Sequence, residues 1–374
     1  MIRSLLIKLC SRCNLDCSYC YWFRDQGVRG LPARMNLEVQ EALVDKIERH
    51  IAAFSLQEFV CSFHGGEPLL FGTDRMRDLV KRLELVGQRS DCTMRYAITT
   101  NGTLLDEDWI NILKDFNFSV TCSIDGPPEI HDARRVSLRG GDTWYAAVDG
   151  YLRLCRAGLS PAIIAVCDPL SDPVQVLDHL ATDLGVKLCD VLMPDHNHTD
   201  LPPSVATYYT TLFNHWYDNY LSKGVEVRLL AEMVRGVLGL ETRTDSIGYG
   251  PIETVSVNTD GALEPHDVLR IGGTAQVFTG LNIRTSELSA ITSSMAWLSA
   301  RNASLTLPTP CRSCQYKIAC GGGHLGQRWS PSNGYDNPSV YCSDLLVILN
   351  HIASRLRKDI IPSEEFVPVR PEEE

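Results

Sequence analysis

The stretch CSRCNLDCSYCYWF, residues 10–23, puts four cysteines into eleven positions directly behind the first apolar run, SLLIKL (4–9). Its spacing is Cys10-x2-Cys13-x3-Cys17-x2-Cys20. Zinc knuckles usually pair two C-x2-C units across a dozen or more residues. This cluster is too compact for that pattern. A short thiolate loop behind a strand suits an iron–sulfur cube, whose corners lie close together.

The rest of the chain sets the context. Fourteen cysteines in 374 residues are many for a reducing compartment, where disulfides rarely persist and spaced cysteines point to metal. The N-terminus MIRSLLIKLC lacks the h-region and cleavage site of a signal peptide, and no apolar run reaches the length of a membrane span. These features predict a soluble cytoplasmic protein with no membrane partner. A net charge of −11 argues against nucleic acid, since phosphate binding needs a basic face.

Short β-branched runs alternate with amphipathic segments through residue 203. Strands are expected at 4–9, 59–64, 95–100, 119–124, 162–166 and 190–193, and a helix at 37–54 with Asn36 as its cap. Six β-then-α units imply an α/β fold with a parallel sheet and ligands at the C-terminal strand ends. Periodicity alone leaves open whether that sheet curls. Residues 204–240 read as a helical stretch whose aromatics, Tyr208 to Tyr220, serve packing. The tail PVRPEEE is expected to be disordered.

A second group, Cys311-x2-Cys314-x5-Cys320-x21-Cys342, follows near the C-terminus. By spacing, a zinc ribbon and an iron–sulfur site both fit this quartet.

The trio Cys13, Cys17 and Cys20, with Tyr19 before its last member, resembles the radical SAM signature. HGGEP (64–68), TTNGTLL (99–105) and SIDGPPEIHDARR (123–135), each after a strand, resemble further segments of that superfamily. The resemblance implies a partial (β/α)6 barrel with a [4Fe-4S] cluster on Cys13, Cys17 and Cys20. The iron left free would bind S-adenosylmethionine (SAM). Candidate SAM contacts are Tyr19, Gly65, Gly66, Glu67, Pro68, Asn101, Ser123, Asp125 and Arg135, with the glycines letting backbone approach the ligand. Taken one at a time, Asn101 and Asp125 also read as turn residues.

The C-terminal quartet resembles the SPASM domain of peptide-modifying relatives and implies an auxiliary [4Fe-4S] cluster on Cys311, Cys314, Cys320 and Cys342. A full SPASM domain carries two. Here His266 and His324 stand where further cysteines are expected, and none lies between Cys189 and Cys311, so one auxiliary cluster is expected. Asp267 corresponds to the aspartate that acts as a base in sulfatase-maturing relatives. Segments 191–203 and 321–345 resemble the XyeB/GrrM/FxsB-like maturases, including cyclophane-forming enzymes.

That resemblance implies a ribosomal precursor peptide as substrate and a flavodoxin or ferredoxin as electron donor. Since the barrel begins by Ser4, it also implies leader binding by this chain or by a separate protein. The expected division is a barrel (1–203), a helical linker (204–251), a SPASM-like domain (252–350) and a helix end with a flexible acidic tail (351–374). Rival readings are thioether or ether cross-linking, formylglycine formation, or a non-catalytic iron–sulfur or zinc regulator.

Overall fold

The computed structural model describes residues 2–248 and 250–360. The first half runs β1 (Ser4–Cys10), β2 (Leu15–Cys17), α1 (Tyr21–Arg24), α2 (Leu37–Phe54), β3 (Glu58–Gly65), α3 (Thr73–Ser90), β4 (Thr93–Thr100), α4 (Glu107–Asp115) and β5 (Ser119–Ser123). Then come α5 (Pro128–His131), β6 (Arg135–Ser137), α6 (Trp144–Arg156), β7 (Ala162–Val166), α7 (Pro173–Asp178) and β8 (Leu188–Leu192). The expected strands and the 37–54 helix therefore form within one or two residues of their predicted bounds.

Local chemistry explains α2. Val39, Leu43, Ile47 and Ile51 recur every four residues and are all buried, at roughly 1.5–3 kcal/mol each. The Asn36 carboxamide accepts the Val39 N–H at 3.0 Å and closes the first turn.

With β9 (Glu226–Val227), β10 (Thr254–Val257) and β11 (Leu263–Glu264) from the second half, the main sheet has the order β11-β10-β1-β3-β4-β5-β7-β8-β9, and among the described residues only its β10–β11 pair is antiparallel. Leu6, Thr100, Ser123, Val166 and Leu192, from five strands across it, line one common cavity. A sheet whose distant strands share a cavity is curled, so the fold is the partial barrel, with β2 and β6 as a small antiparallel flap beside its mouth.

Residues 204–240 are not one helix. They form α8 (Ala206–Asn219), a turn at Leu221–Lys223 ending on Gly224 in the left-handed region (φ 72°), β9 (Glu226–Val227) and α9 (Arg228–Val237). Tyr208, Tyr209, Phe213 and Trp216 are buried, in keeping with packing.

β9 joins the sheet beside β8, and β10 (Thr254–Val257), followed by β11 (Leu263–Glu264), joins it beside β1. The expected divisions at 204 and 252 thus fall inside one continuous sheet. Helices α10 (Met295–Ser304), α11 (Lys317–Cys320) and α12 (Cys342–Ile360) complete the chain. The acidic tail lies outside the described residues. Among the described residues no helix is long and apolar enough to cross a membrane.

Candidate active site and auxiliary metal centre

Cys13, Cys17 and Cys20 line the cavity at the barrel mouth, which measures about 340 Å³. All fourteen cysteines are free thiols. The Leu15 N–H points at Cys13 Sγ (3.4 Å), and the first amides of α1, from Trp22 and Phe23, point at Cys20. Burial pushes Cys13 up to about 12 and Cys17 up to about 11. Thiols so desolvated become thiolates only beside strong positive charge, which iron supplies. Cys10 ends β1, is fully buried and does not line the cavity.

The paired glycines line the cavity and also let two loops meet. A Cβ on Gly65 would lie 2.3 Å from the Cys10 carbonyl oxygen, and one on Gly66 would lie 2.1 Å from that of Arg12. Their smallness lets the β3 loop lie against the cysteine loop, and the Gly66 and Glu67 N–H groups then bond to those two carbonyls at 2.9 Å each.

The Glu67 carboxylate is likewise engaged within the chain. It accepts from Thr100 Oγ1 (2.7 Å), the Asn101 N–H (2.8 Å) and the Leu69 N–H (3.0 Å), tying the β3 and β4 loops together. Burial pushes it up to about 7 against those donors.

Asn101 both lines the cavity and makes its own turn. Its Oδ1 accepts from the Thr103 N–H (3.0 Å), while its Nδ2 donates to Asn14 (2.9 Å) and lies 3.7 Å from Cys13 Sγ.

Tyr19, Ser123 and Arg135 line the cavity, but Asp125 and Pro68 do not. Asp125 is buried behind the wall, accepting from the Tyr19 hydroxyl (2.5 Å) and the Val166 N–H (3.1 Å), with Arg135 Nε 3.0 Å away. Against burial, Arg135 and Tyr19 hold this carboxyl below its usual value. Arg135 in turn reaches 3.9 Å from Cys17 Sγ. Asp125 therefore positions two wall residues, and Pro68 opens the turn Pro68–Phe71 behind the loop.

Asp267 lines the same cavity. Its Oδ2 accepts from the Lys8 ammonium and from the Tyr21 hydroxyl (2.5 Å), while Oδ1 faces His266 Nδ1 at 3.3 Å. Against burial, Lys8 and His266 hold its carboxyl well below the ordinary range.

Lys8 is fully buried, 3.1 Å from His64 Nδ1 and over the Trp22 ring at 4.5 Å. Burial and Lys8 push His64 down to about 3, so it is neutral. His266 Nε2 donates to Asp245 at 2.6 Å, and the Val268 N–H also approaches its Nδ1 at 3.4 Å.

A second, polar cavity of about 540 Å³ lies beyond, sharing Arg228, Asp245, His266, Val268 and His324 with the first. His324 Nδ1 is 3.9 Å from Asp195.

The C-terminal quartet also converges. Cys311, Cys314, Cys320 and Cys342 line a cavity of about 150 Å³ walled by Pro310, Pro338, Leu345 and Leu349. Gly322 N–H donates to Cys320, whose thiol burial pushes up to about 12. Four converging thiols in an apolar shell are a donor set for an iron–sulfur cluster. Three at the barrel mouth leave one iron of a cube open to a ligand. The residues present fit both groups.

With this geometry established, known proteins give the context. Residues 7–171 match the family model of the radical SAM superfamily. The chain is a radical SAM enzyme. Its cofactors are a [4Fe-4S] cluster that binds SAM and an auxiliary [4Fe-4S] cluster.

The enzyme is similar along its whole length to cysteine-type anaerobic sulfatase-maturating enzymes. It is 24% identical to that of Clostridium novyi (strain NT) over 370 residues, covering 94% of this chain and 96% of the relative. It is 24% identical to that of Clostridium perfringens (strain 13 / Type A), covering 94% and 97%.

In fold it resembles native anSMEcpe with bound AdoMet and Cp18Cys peptide, with a TM-score of 0.79, 22% identity and coverage of 94% and 97%. Streptococcus suis SuiB bound to S-adenosylmethionine gives a TM-score of 0.59 at 14% identity, covering 87% and 71%.

Lys8, Tyr21 and Asp245 escaped the sequence reading, and His64 entered it only as the first residue of HGGEP. Only Lys8 left a signal, a charged residue inside the apolar run SLLIKL of a strand buried by its neighbours.

Proposed function

We propose that this enzyme modifies a peptide substrate by radical chemistry at the barrel mouth, with the SAM-binding cluster on Cys13, Cys17 and Cys20 and one auxiliary cluster on Cys311, Cys314, Cys320 and Cys342. The observation that carries this reading is that the three thiols and Asp267 line a single cavity. A reduced cluster held by Cys13, Cys17 and Cys20 would supply the one-electron reduction of SAM from which hydrogen abstraction follows.

The chain's own residues bind and orient. Tyr19, Ser123, Asn101 and Arg135 wall the SAM side, and Gly65 and Gly66 set the loop beneath it. Asp267, an acceptor-only carboxylate fixed by Lys8 and Tyr21, takes the proton the oxidised substrate must lose. The peptide is made on the ribosome, a flavodoxin or ferredoxin supplies electrons, and the leader is bound by this chain or by a separate protein. A reducing cytoplasm suits fourteen free thiols.

Within that reaction, our first reading is a carbon–carbon cross-link between an unactivated β-carbon and an aromatic ring, closing a three-residue cyclophane. It is supported by segments 191–203 and 321–345 and by histidines at 266 and 324. Formylglycine formation is the second reading, favoured by the whole-length likeness to sulfatase-maturating enzymes.

Anaerobic turnover of the reconstituted enzyme with a precursor peptide and with a cysteine-bearing sulfatase peptide separates them by mass. A cross-link removes two hydrogens and leaves every heteroatom in place, whereas formylglycine formation from cysteine exchanges sulfur for oxygen. Formation of 5′-deoxyadenosine with neither peptide altered under any donor would overturn both.

A further inference from the structure

A carboxylate that takes up a proton inside a closed, low-dielectric cavity changes the charge of its surroundings, which is costly unless a neighbour compensates. Asp267 has such a neighbour. His266 stands between Asp267 and Asp245, with Nδ1 3.3 Å from one carboxylate and Nε2 2.6 Å from the other.

Exposure rises along this line, from 2% for the Asp267 side chain through 20% for His266 to 49% for Asp245. Asp267 lines the reaction cavity and not the polar one, whereas His266 and Asp245 line both, so the line connects Asp267 to the polar cavity of about 540 Å³. Oδ2 of Asp267 is already held by Lys8 and Tyr21, so Oδ1, the oxygen facing His266, is the freer acceptor.

We propose that His266 and Asp245 form a proton-exchange arm that lets Asp267 take up the proton of the reaction while a second proton leaves into the polar cavity. The inference rests on Asp267 being the acceptor in the peptide reaction.

Asp267 gains one proton on Oδ1, and no electron moves with it. The imidazolium of His266, having lost one of its two counter-carboxylates, passes its Nε2 proton to Asp245, which releases it to water. One proton enters and one leaves, so the charge around the substrate is constant. When product departs, Asp267 gives its proton to entering water and His266 regains one through Asp245.

The resting state suits this exchange. Against burial, hydrogen bonds to Asp245 and Asp267 push His266 up to about 10, so the ring starts protonated. The other charged or titratable groups around this line are His64, His324, Asp195 and Arg228, with Lys8 beyond Asp267. His266 and Asp245 are positioning residues acting through Asp267.

Four variants of the reconstituted holoenzyme test the arm: H266Q, H266G, D245N and D267N. Peptide modified per 5′-deoxyadenosine formed is followed from pH 6 to 9, with kcat separated from KM. H266Q and D245N are each expected to lower kcat for modification by about 10- to 100-fold at unchanged KM and to change its pH profile. Added imidazole should restore part of the rate to His266→Gly.

Histidine-selective 15N NMR gives a readout independent of turnover. One ring should titrate well above the ordinary histidine range, and either Asn substitution should lower it. Normal turnover and pH profile in H266Q and D245N, with D267N inactive, would overturn the arm while leaving Asp267 as the acceptor. Full activity in D267N would overturn the acceptor reading itself. If H266Q fails to load its clusters, D245N and the wild-type titration decide the matter.

Discussion

The two thiol centres are built from opposite materials. At the barrel mouth, three thiols share a wall with Asn101, Arg135 and Glu67, and Asp125 stands behind it. At the C-terminal quartet, four thiols sit among prolines and leucines, with Lys317 the one charged side chain of the wall among the described residues. A centre that must hold a charged, exchangeable ligand needs polar groups already fixed by partners. A centre that only stores or passes electrons needs closure and a full set of ligands. Three thiols with polar walls against four with apolar walls is the structural form of that division of labour.

Substitutions at each centre should separate the two roles, and the largest effect belongs to the barrel mouth. Cys17→Ala should abolish 5′-deoxyadenosine formation and remove about four of about eight irons per chain. Residual SAM cleavage in this variant would erase the contrast. Cys342→Ala should lose a similar amount of iron yet still cleave SAM, while peptide modification stops. Iron analysis beside nucleoside and peptide assays reads both outcomes.

Next in size is Asp125→Asn, which leaves Arg135 buried without its counter-charge and should cost about 3 kcal/mol in urea unfolding. Because the Asp125 carboxyl is held below its usual value in the fold, its contribution is present above the ordinary carboxylate pKa. It is lost as pH falls through the depressed value. The gap between wild type and D125N should therefore be full at pH 7 and close in acid; a gap that widens in acid would reverse the assignment.

Gly66→Ala should cost ~2–3 kcal/mol and loosen the cysteine loop, because its Cβ would meet the Arg12 backbone. The smallest effect is expected at Arg89→Ala, an exposed partner of Glu48 on α2, at under about 1 kcal/mol and without change in either iron content or SAM cleavage.

Much of this was legible in the sequence, for identifiable reasons. Cysteine spacings are local, so both thiol sets stand out as short strings, and each set lines one cavity. The six strands and α2 declared themselves through periodicity and the Asn36 cap. The helix at 204–240 was misread because Gly224 and a two-residue strand interrupt a pattern that still looks amphipathic.

The roles of the loop residues shifted more. Glu67 and the paired glycines line the cavity and, beyond what their motif suggests, also tie the protein's own loops together. Asp125 stands one layer behind the wall. A motif shows that a residue belongs to a site but not which way its side chain faces.

Sequence by itself therefore determined the thiol sets, the strand–helix alternation and the class of chemistry, because each rests on residue type and short spacing. Tertiary structure decided the curl of the sheet, the joining of β9 and β10 to it, and the gathering of Lys8, Tyr21, Asp245, His266 and Asp267 at one wall. Those residues are separated by up to 259 positions along the chain. They meet only because a parallel sheet brings the ends of distant strands to one mouth, where burial forces each charge to find a partner.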